Sequence, residues 1–180
     1  MKIEDITGLP VIEHDRFVLR PLQASDAGLI LIYAGDERVA RMTTSIPHPL
    51  PPGASESFIE RAHATDRRED VWVIDCSGSG GAELVGLIGM ERLEGDTSEV
   101  GYWIAPAFWN TGIASEALAA IILANPQEVS VIFASVFQDN PASARVLTNC
   151  GFTYIGDAES FSVARNATVR TWTYSLRLRE

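Results

Sequence analysis

Apolar residues along this chain fall into short runs separated by glycine, proline and charged breaks. Phe17 to Leu22 is mostly apolar and reads as a strand. Ser25 is a suitable N-cap for a helix from Asp26 to about Ala34, with Asp26 in its first turn. Thr43 to Gly53 carries Pro47, Pro49, Pro51 and Pro52, which excludes a helix and predicts a loop. Ser55 opens a second helix that runs to about Ala64. Val71 to Cys76 reads as a strand and Ser77 to Gly81 as a hairpin-like turn. Glu83 to Glu91 is the next strand, where Gly86 and Gly89 predict a bulge or close packing. A strand over 99–105 leads into a helix over 114–124, whose apolar residues at 113, 114, 117, 118, 121 and 122 share one face. Asn125-Pro126 stops that helix, and Val129 to Val136, β-branched and apolar, fits a sheet interior. A helix over 141–149 and two closing strands, about 152–163 and 169–178, complete the chain, with a turn at Arg165-Asn166-Ala167. No linker, repeat or low-complexity segment divides it, so residues 1–180 read as one domain on one mixed α/β sheet.

The most informative segment runs from Trp109 through Asn110, Thr111, Gly112, Ile113 and Ala114 to Ser115. A strand passing through a small glycine-bearing turn into a helix leaves backbone N–H groups unpaired at the helix start. Those donors, together with the helix dipole, attract a phosphate. The turn has no G-x-x-x-x-G-K-[ST], so it is not a Walker loop, and it has one glycine where the dinucleotide fingerprint needs three.

Trp109-x-x-Gly112-x-Ala114 resembles the pyrophosphate loop of the GCN5-related N-acetyltransferases (GNAT), whose short pattern is Gln/Arg-x-x-Gly-x-Gly/Ala. Three further pieces stand in the order expected of the ribosomal-protein N-terminal acetyltransferase branch. Arg16-Phe17-Val18-Leu19-Arg20-Pro21-Leu22 followed by Ser25-Asp26-Ala27 is similar to its opening strand and first helix start. Val100-Gly101-Tyr102-Trp103-Ile104 is similar to its fourth strand. Asn140-x-x-Ser143-x-Arg145-Val146-Leu147, ending at Cys150-Gly151-Phe152, is similar to its fourth helix and the turn after it. The resemblance spans roughly residues 14 to 178. It implies an α/β (α+β) fold: a single, mostly antiparallel mixed sheet with splayed central strands flanked by helices. It also implies acetyl-CoA as cosubstrate, with pantetheine on the backbone near Trp103, Ile104 and Ala105 and pyrophosphate on the N–H groups of Trp109 through Ser115. Trp109 departs from the pattern's Gln or Arg and supplies no cation, and Asn110 stands where the branch often has glycine. Asn140 with Pro141 makes a good helix cap, and in the family this asparagine also contacts the CoA arm.

Acyl transfer to an amine needs a proton path from the ammonium, an oxyanion donor, and help for the leaving thiolate. Glu99, five residues before Ile104, stands at the spacing where histone-acetylating members place a glutamate, and it is the first candidate base. Glu91, Glu159 and water are the alternatives. Many members use a tyrosine seven residues after the capping asparagine, but here that position is Leu147. The glutamate that one N-terminal acetyltransferase group places five residues before the asparagine is Ser135 here. Ser143 then stands as the thiolate partner, as the serine of Asn-x-x-Ser does in the resembling branch.

Composition narrows the setting. The net charge of −10 opposes nucleic acid and anionic membrane as partners and suits an amine acceptor, though it also serves plain solubility. The acceptor is expected to be a protein N-terminus, such as that of a ribosomal protein, or a small molecule. Its pocket is expected among the first two helices, the Pro-rich loop around His48 and the closing hairpin. No run approaches the ~20 apolar residues of a membrane helix, which predicts a cytoplasmic protein; a homodimer is left open. Cys76 and Cys150 do not form a disulfide framework, and Cys150 reads as a small buried thiol. His14, His48 and His63 lie far apart, so no metal is expected. The rival from another class is a CoA-binding sensor or interaction module that kept the fold without catalysis.

Overall fold

A computed structural model describes residues 7–178. Among them eight strands form one sheet in the order β1-β2-β3-β4-β5-β6-β8-β7. The strands are β1 (Ile12–Glu13), β2 (Val18–Pro21), β3 (Glu69–Asp75), β4 (Gly86–Arg92), β5 (Thr97–Ile104), β6 (Val131–Phe137), β7 (Thr153–Ser162) and β8 (Ala167–Arg177). Every pairing is antiparallel except β5 with β6. The helices are α1 (Ala27–Ala34), α2 (Glu37–Ala40), α3 (Ala54–His63), α4 (Ile113–Ala124) and α5 (Pro141–Asn149).

Strand alternation sends side chains to two faces, and each face has its own core. On one, Ile30, Ala34 and Ile59 of α1 and α3 pack on Val71, Val73 and Leu87. On the other, Leu118, Ile121 and Leu147 of α4 and α5 pack on Trp72, Ile88, Val100 and Ile132. Arg20 pins the first face: its Nη atoms hold both oxygens of Asp26 at 2.9 and 2.8 Å, and its Nε holds Asp75 at 2.7 Å.

That clamp overturns the expected helix start. Asp26 is buried against Arg20 and its carboxylate accepts the Gln23 N–H at 2.7 Å. The chain therefore winds through a short 3₁₀ turn over Ala24–Asp26, and α1 begins at Ala27 without a Ser25 cap. Two short elements, β1 and α2, are too brief to leave a period. The expected cap at Asn140 is present, accepting the Ser143 N–H at 3.4 Å. Asn125 ends α4 with φ 41° and clasps Val129 through two bonds of 3.1 Å. Gly86 marks close packing: a Cβ there would stand 2.3 Å from the Trp103 carbonyl oxygen.

Candidate functional site

β5 and β6 pair only at Thr97–Val131, Ser98–Ile132 and Glu99–Phe133, and past Glu99 they splay. The backbone of β5 beyond that point faces an open V. Alternation decides which groups point into it. Ala105 N–H donates to Val85 O at 2.8 Å, so odd positions turn toward β4 and even positions toward the V. Of Trp103, Ile104 and Ala105, only Ile104 therefore presents backbone groups to the opening, and Tyr102 joins it. The indole of Trp109 donates to Ile104 O at 2.7 Å, which leaves Ile104 N–H and both groups of Tyr102 for a ligand. Trp103 still lines the cleft with its side chain, whereas Ala105 is fully buried and does not.

The turn after β5 leaves a run of amides free at a helix start. Gly112 caps α4 with φ 82° and Asn110 precedes it at φ 61°, both in the left-handed region. Thr111 Oγ1 donates to Phe108 O at 2.6 Å and braces the turn. Glu116 N–H is the first amide of α4 to find a carbonyl, that of Gly112 at 3.1 Å. The amides of Asn110 through Ser115 have no hydrogen-bond partner among the described residues. The cation that the motif lacks comes from elsewhere: Arg16, just before β2, reaches to within 3.7 Å of where a Gly112 Cβ would stand. It pairs with Glu116 at 2.6 Å and so offsets the one carboxylate in the first turn of α4.

Across the V lies α5. Asn140 uses its oxygen as the cap, and its side chain lines the cleft. Ser143 Oγ lies 3.0 Å from the phenol oxygen of Tyr102. Burial pushes that phenol's pKa up to about 12. Leu147 is fully buried in the core, so α5 itself presents no phenol. Cys150 is half-buried rather than enclosed; its thiol donates to Ser115 O at 3.4 Å and is pushed up by burial.

The opposite face of the V is acidic. Register places Glu69, Glu91 and Glu99 side by side on β3, β4 and β5. Cross-strand neighbours stand ~5 Å apart, near enough for each charge to oppose the next. Burial pushes the Glu99 carboxyl up, with Glu91 adding to it. Glu69 is raised by burial first, then by Glu91, Asp70 and Glu99. None of the three carboxylates has an ion-pair partner among the described residues. Nor is any group of three or more His, Cys, Asp or Glu arranged there to hold a metal ion. Gly101 sits between Glu99 and Trp103 with open space where a side chain would be. Glu159 pairs with Arg170 across β7 and β8, on the other side of the sheet from Thr171, and does not line the cleft.

Loop 42–46 and the β7–β8 hairpin join over this face. Val163 N–H donates to Thr44 O at 3.1 Å, Arg165 Nε to Arg41 O at 2.8 Å, and Arg165 pairs with Asp139 at 2.7 Å. They enclose a cleft of about 850 Å³ that runs from the glutamate row to the Gly112 turn. His48 is exposed and outside its wall. Arg16, Tyr102 and Glu69 are the site residues that sequence reasoning missed. Arg16 and Tyr102 stand inside the segments that carry the resemblance, whereas Glu69 is placed only by strand register.

The family model of the acetyltransferase (GNAT) domain matches residues 16–153. An uncharacterized N-acetyltransferase of Bacillus subtilis (strain 168), YoaA, is 29% identical over 178 residues, covering 93% of this chain and 96% of the relative. RimL, a ribosomal L7/L12 alpha-N-protein acetyltransferase solved with coenzyme A, superposes with a TM-score of 0.79 at 16% identity, covering 94% of this chain and 98% of its own. Spermidine N-acetyltransferase from Vibrio cholerae, solved with CoA and spermine, does so with a TM-score of 0.76 at 17% identity, covering 92% and 97%. At these identities the two structures show a shared fold.

Proposed function

Because the chain belongs to the acetyltransferase (GNAT) family, we propose that it moves the acetyl group of acetyl-CoA to a primary amine on a protein N-terminus or a small molecule. One observation carries the reading: six consecutive unpaired amides, 110–115, face the same cleft as a row of unpaired carboxylates. The amides and α4 dipole suit a pyrophosphate, and Arg16 adds a full charge beside them. The open backbone of Tyr102 and Ile104 suits the amide-bearing pantetheine arm. The asparagine side chain at 140 borders the same path.

Glu99 stands where β5 and β6 part, on the acceptor face. Burial, with Glu91 adding to it, raises its pKa and makes it a stronger base than an ordinary carboxylate. It takes a proton from the acceptor ammonium, directly or through one water. The freed amine attacks the thioester carbonyl, and Ile104 N–H, free in the V, is the donor assigned to the developing oxyanion. The C–S bond then breaks with its electron pair on sulfur, toward Ser143. The glutamate row favours an acceptor with more than one positive charge, since a second ammonium would relieve the repulsion among Glu69, Glu91 and Glu99. The spermine-binding acetyltransferase of the same fold gives that acceptor class a precedent.

An acceptor screen over mono- and polyamines and peptide N-termini, read by release of free CoA thiol, tests the reading. Turnover with at least one amine is expected, fastest with polycationic ones. CoA binding with no turnover of any amine would favour the non-catalytic CoA-binding module instead.

A further inference from the structure

We propose that Tyr102 is the positioning residue that aims the Ser143 hydroxyl at the departing CoA sulfur. This rests on the reading of Ser143 as the thiolate partner. The phenol oxygen lies 3.0 Å from Ser143 Oγ and 3.3 Å from Ser143 O, so both acceptors within its reach belong to one residue. The carbonyl lies in the first turn of α5, where helix geometry already gives it the N–H four residues on. The hydroxyl is the nearer and the freer acceptor. When the phenol donates to Oγ, the serine's own proton is left to point into the cleft that Ser143 lines. The phenol that α5 lacks at Leu147 thus arrives from β5, across the V.

The phenol's raised pKa, about 12, keeps it protonated throughout the working range, so it is always a donor. The same shift makes it a poor acid toward a thiolate, whose thiol titrates near ~8.5. Tyr102 therefore holds an orientation and loses no proton. As the C–S bond breaks, sulfur takes the electron pair and the Ser143 O–H hydrogen-bonds to it. The acceptor nitrogen gives up two protons in all, one to Glu99 before attack and one to water as the amide forms; the thiolate takes one back from solvent, so one proton is released net.

The test is a double-mutant cycle of Tyr102→Phe and Ser143→Ala, with kcat and the KM for acetyl-CoA measured at saturating acceptor. Each single change should lower kcat roughly tenfold, the worth of about one hydrogen bond, with KM, CoA affinity and melting temperature unmoved. The double variant should be no slower than Ser143→Ala alone, because Tyr102 acts only through the serine. A wild-type kcat in Tyr102→Phe beside a slow Ser143→Ala overturns this inference and leaves the serine reading standing. Losses that multiply in the double variant also overturn it, since Tyr102 would then act independently. A wild-type kcat in Ser143→Ala sinks the thiolate-partner reading and this inference together. A Tyr102→Phe variant that loses CoA affinity or melts early assigns the phenol to structure instead.

Discussion

The two ends of the cleft are specified in different ways. At the end proposed for the cofactor, the free groups are backbone amides from one unbroken stretch, 110–115. At the end proposed for the acceptor, the lining comes from β3, β4, β5, loop 42–46 and the β7–β8 hairpin, none contiguous with the next. A backbone cradle tolerates most substitutions but not a change of turn geometry. A side-chain wall tolerates geometry but not a change of charge or bulk.

The most severe break of the cofactor end is Gly112→Glu. It forces a Cβ onto φ 82° and sets a carboxylate against the incoming phosphates. CoA affinity should fall by about 100-fold, ~2.7 kcal/mol, in calorimetry on the folded variant. Unchanged affinity would mean that the turn is not the pyrophosphate site. Gly112→Ala, which adds strain without charge, should fall between the two.

At the acceptor end, Glu99→Gln keeps shape and removes the base. The expected loss in kcat/KM is about 10²-fold, the low end for a general base, with CoA affinity untouched. The pH profile sharpens the assignment. The base works ionised and its folded pKa is raised, so wild-type activity should begin to fall at a higher pH than an ordinary glutamate would set, and the variant should lack that limb. Stability carries the opposite sign. A carboxylate raised by folding binds protons more readily in the native state, so its stabilising effect fades as pH climbs from the unfolded value through the folded one. Thermal melts of Glu99→Gln should thus match wild type at acidic pH and exceed it at neutral pH. A variant with the wild-type rate across the whole pH range would clear Glu99 of the role.

Gly101→Val asks whether bulk alone closes the acceptor path. The added side chain enters open space, and the backbone there is ordinary strand, so the fold should hold. Acceptor KM should rise about tenfold, ~1.4 kcal/mol, while CoA affinity stays put. If CoA affinity drops instead, the division into two ends is drawn in the wrong place.

The mildest test is Arg16→Ala. The guanidinium is partly exposed and already shared with Glu116, so removing it should weaken CoA binding only about threefold at low salt, and less as salt rises. An effect that grows with salt would speak against a charge–phosphate contact.

Much of the turn at 109–115 was legible in the sequence because its information is local. A glycine flanked by a strand and an amphipathic helix announces a left-handed turn and a row of free amides within seven residues, 109–115. Asn140-Pro141 announces a cap for the same reason. The sequence by itself therefore determined the order of the longer elements, the glycine turn with its free amides and the family. Which residues face each other was decided only by the tertiary structure. A slip of one residue in register would turn every side chain of a strand to the opposite face. The alternation along β5 that gives the V to Tyr102 and Ile104 rather than Trp103 and Ala105 is set by pairing with β4. The same pairing lines up Glu69, Glu91 and Glu99, and helix packing brings Tyr102 to Ser143 across forty-one positions of chain. Arg16 reaches the turn from a hundred residues before its ion-pair partner Glu116. Backbone conformation is written by near neighbours, but charge and contact are properties of distance in space, and distance exists only once the chain has packed.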